Sequence, residues 1–80
     1  MKIRVLFFAE FRELFGDQRV MDVPEGFRIK EIMSCLKTPS GSLLNGERSL
    51  VYAVNENFES VDTLLKDGDD LAIMMPMSGG

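Results

Sequence analysis

The sequence predicts an α+β fold: a mixed sheet of about four to five strands packed on one main helix, with a second short helix after strand 1. Three observations predict it. Residues 2 to 8 alternate with the period of a strand, putting Ile3, Val5 and Phe7 on one face. Ile29, Ile32, Met33 and Leu36 occupy i, i+3, i+4 and i+7, the spacing of one helix face. A short apolar run, Leu71 to Met75, closes the chain between an Asp-Gly turn and Pro76.

Each element follows from its local chemistry. In the first strand Ile3, Val5 and Phe7 share one face, and Lys2, Arg4, Leu6 and Phe8 share the other. Residues 10 to 15 then carry Phe11, Leu14 and Phe15 at helical spacing, and Gly16 is expected to end that turn of helix in a left-handed conformation. Residues 18 to 23 alternate again around Val20, and Pro24-Glu25-Gly26 closes the strand. The main helix runs from Ile29 to Leu36 and stops at Thr38-Pro39-Ser40-Gly41. Asn45-Gly46 signals a turn. Leu50 to Val54 reads as a buried strand, and Asn55-Glu56-Asn57 turns into a short strand around Phe58. Leu64 and Leu65 are expected in the core, ahead of a tight turn at Lys66-Asp67-Gly68-Asp69. A hairpin, a crossing helix and a last strand lying parallel to the first make a β-grasp sheet, because the long connection permits parallel pairing.

Eighty residues accommodate one domain, expected over 1–80 with residues 76–80 as a flexible tail. A chain this short has little room for a deep active site beside its own core. It has no histidine, so the usual general base at neutral pH and the commonest metal ligand are both missing, and no metal site is expected. A net charge of −4 disfavours nucleic acid and anionic membranes as partners and suits a basic protein surface. No apolar run approaches a membrane span. The N-terminal apolar stretch is too short for a signal peptide and is interrupted by Glu10, Arg12 and Glu13, which points to a cytoplasmic protein. The single Cys35 excludes an internal disulfide and is expected as a buried, inert thiol beside Ile32, Met33 and Leu36. Asp67, Asp69 and Asp70 are expected to serve the turn, since a hard cation needs more oxygen ligands than they converge.

The chemistry-bearing motif is the end, Met77-Ser78-Gly79-Gly80, which directly follows a strand. Two glycines remove every side chain from the last two positions, so the tail can thread a channel that a Cβ would obstruct. Four extended residues reach about 13 Å, enough to enter a neighbouring protein's active site. The carboxylate at the tip is ionised at neutral pH and is a poor electrophile. A partner would have to activate it, for example by adenylation with ATP, before sulfur or an amine could attack.

Leu6-Phe7-Phe8-Ala9, Arg12-Glu13-Leu14 and Gly16 resemble the N-terminal signature of the sulfur-carrier (small) subunits of molybdopterin synthase. Ala53-Val54-Asn55, Ser60, Asp62, Leu65, Asp67-Gly68-Asp69, Ala72, Pro76 and Ser78-Gly79-Gly80 resemble the C-terminal half of the same family, and residues 25 to 48 match mainly in pattern. The resemblance implies a ubiquitin-like β-grasp fold and a cycle in which the chain is itself the substrate. A ubiquitin-activating-like adenylyltransferase uses ATP to adenylate Gly80, and a sulfur donor enzyme converts the product to a thiocarboxylate. The tail then enters the large catalytic subunit of molybdopterin synthase, in an implied heterotetramer, and gives sulfur to a cyclic pyranopterin phosphate precursor. No cofactor is bound permanently, and the catalytic side chains lie on the partners. Where the family usually has aromatic and proline residues before the tail, this chain has Ile73-Met74-Met75, and Met77 replaces a smaller β-branched residue.

Alternation also places a docking surface. With Ile3, Val5, Phe7, Leu71 and Ile73 facing the helix, Leu6, Phe8 and Met74 form an exposed apolar patch beside the root of the tail at Pro76. Arg12 matches the family's arginine and is expected either at the same edge or as a solvated helix charge. Two other functions share parts of this pattern: a sulfur carrier for thiamine thiazole synthesis, and a ubiquitin-like interaction or conjugation module. The Arg12-Glu13-Leu14 segment, Gly16 and the chain length argue against the thiazole carrier.

Overall fold

Alternation along β1 (Lys2–Phe7) sends Ile3, Val5 and Phe7 into the core and leaves Lys2, Arg4 and Leu6 on the other face. The computed structural model describes residues 1–36 and 50–76. After β1 come α1 (Glu10–Phe15), β2 (Gln18–Asp22), α2 (Ile29–Cys35), β3 (Val51–Val54), β4 (Asn57–Glu59) and β5 (Asp70–Met74). These strands form one sheet in the order β2-β1-β5-β3-β4. β1 and β5 pair in parallel at its centre, and every other neighbouring pair is antiparallel. The sheet is thus the β-grasp arrangement that the element order predicts.

The core lies between one face of the sheet and α2. Ile29, Ile32, Met33 and Leu36 are fully buried, together with Ile3, Val5, Leu71 and Ile73. The segment before β5 holds the start of α2. Its carbonyls at Val61 and Thr63 accept from the Lys30 and Ile29 amides at 2.9 and 3.1 Å, while Glu31 Oε1 accepts from the Arg28 amide at 2.7 Å. Amides that the helix itself cannot pair are satisfied in this way.

Two turns align the strands. Asn55 and Glu56 both have positive φ, 49° and 73°, and make the two-residue connection from β3 to β4 that a type I′ hairpin requires. Before β5 the Asp69 amide donates to the Lys66 carbonyl at 3.1 Å, and Asp69 Oδ2 accepts from the Lys66 amide at 2.8 Å. Gly68, at φ 87°, donates its amide to the Lys2 carbonyl and so ties this turn to β1. The three aspartates serve the fold: Asp67 Oδ1 accepts from the Lys2 amide, Asp69 Oδ1 from Asn55 Nδ2, and Asp70 pairs with Arg4.

The structure corrects several expectations. Cys35 is exposed rather than buried. It lies six residues beyond Ile29, which at 100° per residue puts it about 110° from the centre of the apolar stripe. Leu65 is in the core, but Leu64 is 52% exposed, because successive residues of an extended segment point to opposite sides. In β2 the buried side is supplied by Met21 and the following Val23, whereas Val20 is 60% exposed on the opposite face. Gly16 has positive φ, 89°, but its ψ of −174° is not helical, so it turns the chain out of α1 in an extended, glycine-specific conformation. The turns at Thr38-Pro39-Ser40-Gly41 and Asn45-Gly46 lie outside the described residues.

Candidate functional site

β5 delivers the chain to Pro76 from the centre of the sheet, held by β1 on one side and β3 on the other. Pro76 is exposed. Met77, Ser78, Gly79 and Gly80 lie outside the described residues. What the structure does describe is the surface from which they depart.

Register assembles that surface. Leu6 pairs with Ala72, Ala72 with Ala53, and Ala53 with Phe58, so these four side chains form one row across the open face of the sheet. Met74 pairs with Val51 one step further along, beside Phe8. Phe8 is 45% exposed and Phe58 78% exposed, while Leu6, Val51 and Met74 are half-buried. Leu6, Phe8 and Met74 therefore share a face, as their alternation requires. The two alanines are the smallest members of the row, and over them opens a depression of about 420 Å³ with Leu6 and Phe8 on one side.

The opposite end of the depression is polar, formed by Asn55, Glu56 and Asp70. Arg4 grips Asp70 with two hydrogen bonds, Nε to Oδ1 at 2.9 Å and Nη2 to Oδ2 at 2.8 Å. The hydrogen bond and charge of Arg4 hold the Asp70 carboxyl below its ordinary range, and Asp70 in turn raises the Arg4 guanidinium. Asn55 is committed on both sides, its Nδ2 to Asp69 and its Oδ1 to the Asp70 amide.

The turn into α1 fixes Phe8. The Phe11 amide donates to the Phe8 carbonyl at 3.1 Å around Ala9, whose φ of 52° is uncommon for a residue with a Cβ. α1 is then clamped on the core side, where Phe15 stacks on Phe7 with centroids 5.0 Å apart and the Arg19 guanidinium lies over Phe15. Arg12 does not line the depression. It is an exposed helix charge, with Nε donating to Asp17 Oδ1 at 2.6 Å. Among the described residues no group of His, Cys, Asp and Glu side chains is placed to hold a metal ion.

The sequence places Leu6, Phe8 and Met74 on the open face but does not single out Ala53 and Glu56, which line the depression, or Phe58 in the same row. The signal was present. A two-residue Asn55-Glu56 turn sets Ala53 opposite Phe58, and the same register puts both on the face of Ala72.

Residues 5–80 match the ThiS family. The molybdopterin synthase sulfur carrier subunit of Drosophila erecta is 38% identical over 84 residues, covering 100% of this chain and 92% of that protein. The fold is similar to that of a putative molybdopterin converting factor subunit 1 from Pyrococcus furiosus, with TM-score 0.72 and 26% identity over 96% of this chain and 99% of that one. It is also similar to a chain in the complex of subunits 1 and 2 of the molybdopterin-converting factor from Helicobacter pylori, with TM-score 0.65 and 21% identity over 100% of both chains.

Proposed function

The chain belongs to the ThiS family, in the group of molybdopterin synthase sulfur carrier subunits, and from that membership we propose that it donates sulfur from a thiocarboxylate on Gly80. The observation that carries the proposal is the end-to-end likeness to a named sulfur carrier, which extends through the Gly79-Gly80 end. In the cycle the Gly80 carboxylate attacks the α-phosphate of ATP on an adenylyltransferase and expels pyrophosphate. A sulfur donor then displaces AMP. The thiocarboxylate passes into the large subunit, where its sulfur attacks a cyclic pyranopterin phosphate; water then cleaves the resulting thioester, leaving the sulfur on the pterin and the carboxylate free for another round. Two such transfers complete a dithiolene.

In this scheme the chain supplies an anchored tail and a docking face, and the partners supply the catalytic side chains. The geometry supports that division. The tail's root is fixed by pairing on both sides of β5, and Leu6, Phe8 and Met74 present apolar surface next to it. Pro76 restricts the backbone where the tail departs, and Met77, Ser78 and Gly79 thread the partner's channel. The large subunit is the partner proposed for the docking face, as the relative's complex of subunits 1 and 2 suggests. The assembly proposed is a heterotetramer, working in the cytoplasm. Among the described residues no helix is long and apolar enough to cross a membrane.

Intact mass after incubation with ATP, the adenylyltransferase and a sulfur source tests the proposal. The expected product has one terminal oxygen replaced by sulfur. An isopeptide adduct to a protein lysine in place of that product would assign the chain to conjugation instead.

A further inference from the structure

The depression beside Phe8 has two unlike ends, and only one of its acidic groups is uncommitted. Its apolar side is Leu6, Phe8 and Ala72, and its polar end is Asn55, Glu56 and Asp70. Asp70 is neutralised by the two hydrogen bonds from Arg4, and Asn55 is held by Asp69 and the Asp70 amide. Glu56 makes no ion pair or side-chain hydrogen bond among the described residues. It nevertheless stands in the hairpin turn at φ 73°, a conformation that favours glycine and strains a residue with a Cβ. A free carboxylate is thus carried at the mouth of an apolar depression, on a chain of net charge −4.

We propose that this depression receives a segment of the large subunit in which an apolar side chain is followed by a lysine or arginine, and that Glu56 selects the basic group; the inference rests on the carrier reading above. The apolar side chain sits over Ala72 between Leu6 and Phe8. The cation reaches Glu56, because Asp70 already has its counter-charge. Glu56 thereby fixes the orientation of the bound segment, with the apolar side chain toward the tail's root and the basic one toward the hairpin.

The test is calorimetric titration of the carrier into the large subunit from the same organism, at ionic strengths from about 50 to about 500 mM, where screening goes from weak to strong. Three variants are compared with wild type: Glu56→Gln, Glu56→Lys and Glu56→Gly. At low salt Glu56→Gln is expected to weaken binding about two- to fivefold, as for the loss of an exposed ion pair. It should also flatten the salt dependence. Glu56→Lys should weaken binding by about tenfold or more through like-charge contact. Glu56→Gly should bind as weakly as Glu56→Gln while melting at a temperature equal to or above wild type, because glycine relieves the turn. Affinity and stability moving apart in this way would not arise from a merely structural role. Equal affinity and equal salt dependence for wild type and Glu56→Gln would overturn the role of Glu56 and leave the carrier reading intact. If wild type forms no complex with the large subunit at any salt concentration, both fall.

Discussion

Four side chains give the surface testable behaviour. Phe8 and Met74 lie on the open face beside the tail's root, so a charge there would meet solvent in the free protein and apolar surface in the complex proposed above. Phe8→Asp and Met74→Asp are each expected to weaken binding to the large subunit by about tenfold or more, as loss of a central apolar contact does. Melting temperatures should stay close to wild type. Isothermal titration and a thermal melt on the same samples check both halves. Asp70 gives a pH signature. Its carboxyl titrates below its unfolded value because Arg4 bonds the ionised form. Its stabilising effect is therefore fully present above the ordinary carboxylate range and is lost as pH falls through the depressed value. The stability difference between wild type and Asp70→Asn, followed by urea unfolding, should close as the solution is acidified below that range. Cys35 is exposed, so a thiol reagent should modify it in the native protein at a rate within about tenfold of that in denaturant. Reaction only after unfolding would contradict the placement.

At the scale of elements, pattern carried most of the fold. A period of two fixed the buried faces of β1 and β5, because a one-residue slip would have sent Ile3, Val5 and Phe7 to solvent. The spacing of Ile29, Ile32, Met33 and Leu36 fixed α2, and Ile32→Ala should cost about 2–5 kcal/mol in urea unfolding, the range for a large-to-small change in a close-packed core. For Cys35 and Leu64 the difference has one cause: apolar neighbours in the sequence do not fix the direction of a side chain. Cys35 neighbours buried residues in sequence but points away from them on the helix, and Leu64 neighbours Leu65 but faces the other side. Phe58 and Glu56 were legible only through the pairing of β3 with β4, a relation between two segments that neither shows alone. Why Arg12 is paired with Asp17 was likewise hidden, because Gly16 and the irregular turn that follows it set the distance.

For the whole molecule, the sheet order places the parallel β1–β5 pair in the middle, so the strand that leads to the tail is the best supported of the five described. The acidic net charge and the apolar open face suit the docking onto a partner protein proposed above. The most direct measurement supplies the large subunit and the cyclic pyranopterin phosphate with thiocarboxylated carrier and follows dithiolene formation against carrier consumed. Two carriers should return to the carboxylate for each dithiolene made, and a chain lacking Gly79 and Gly80 should support none. Dithiolene formed at the normal rate with that shortened chain would contradict the account.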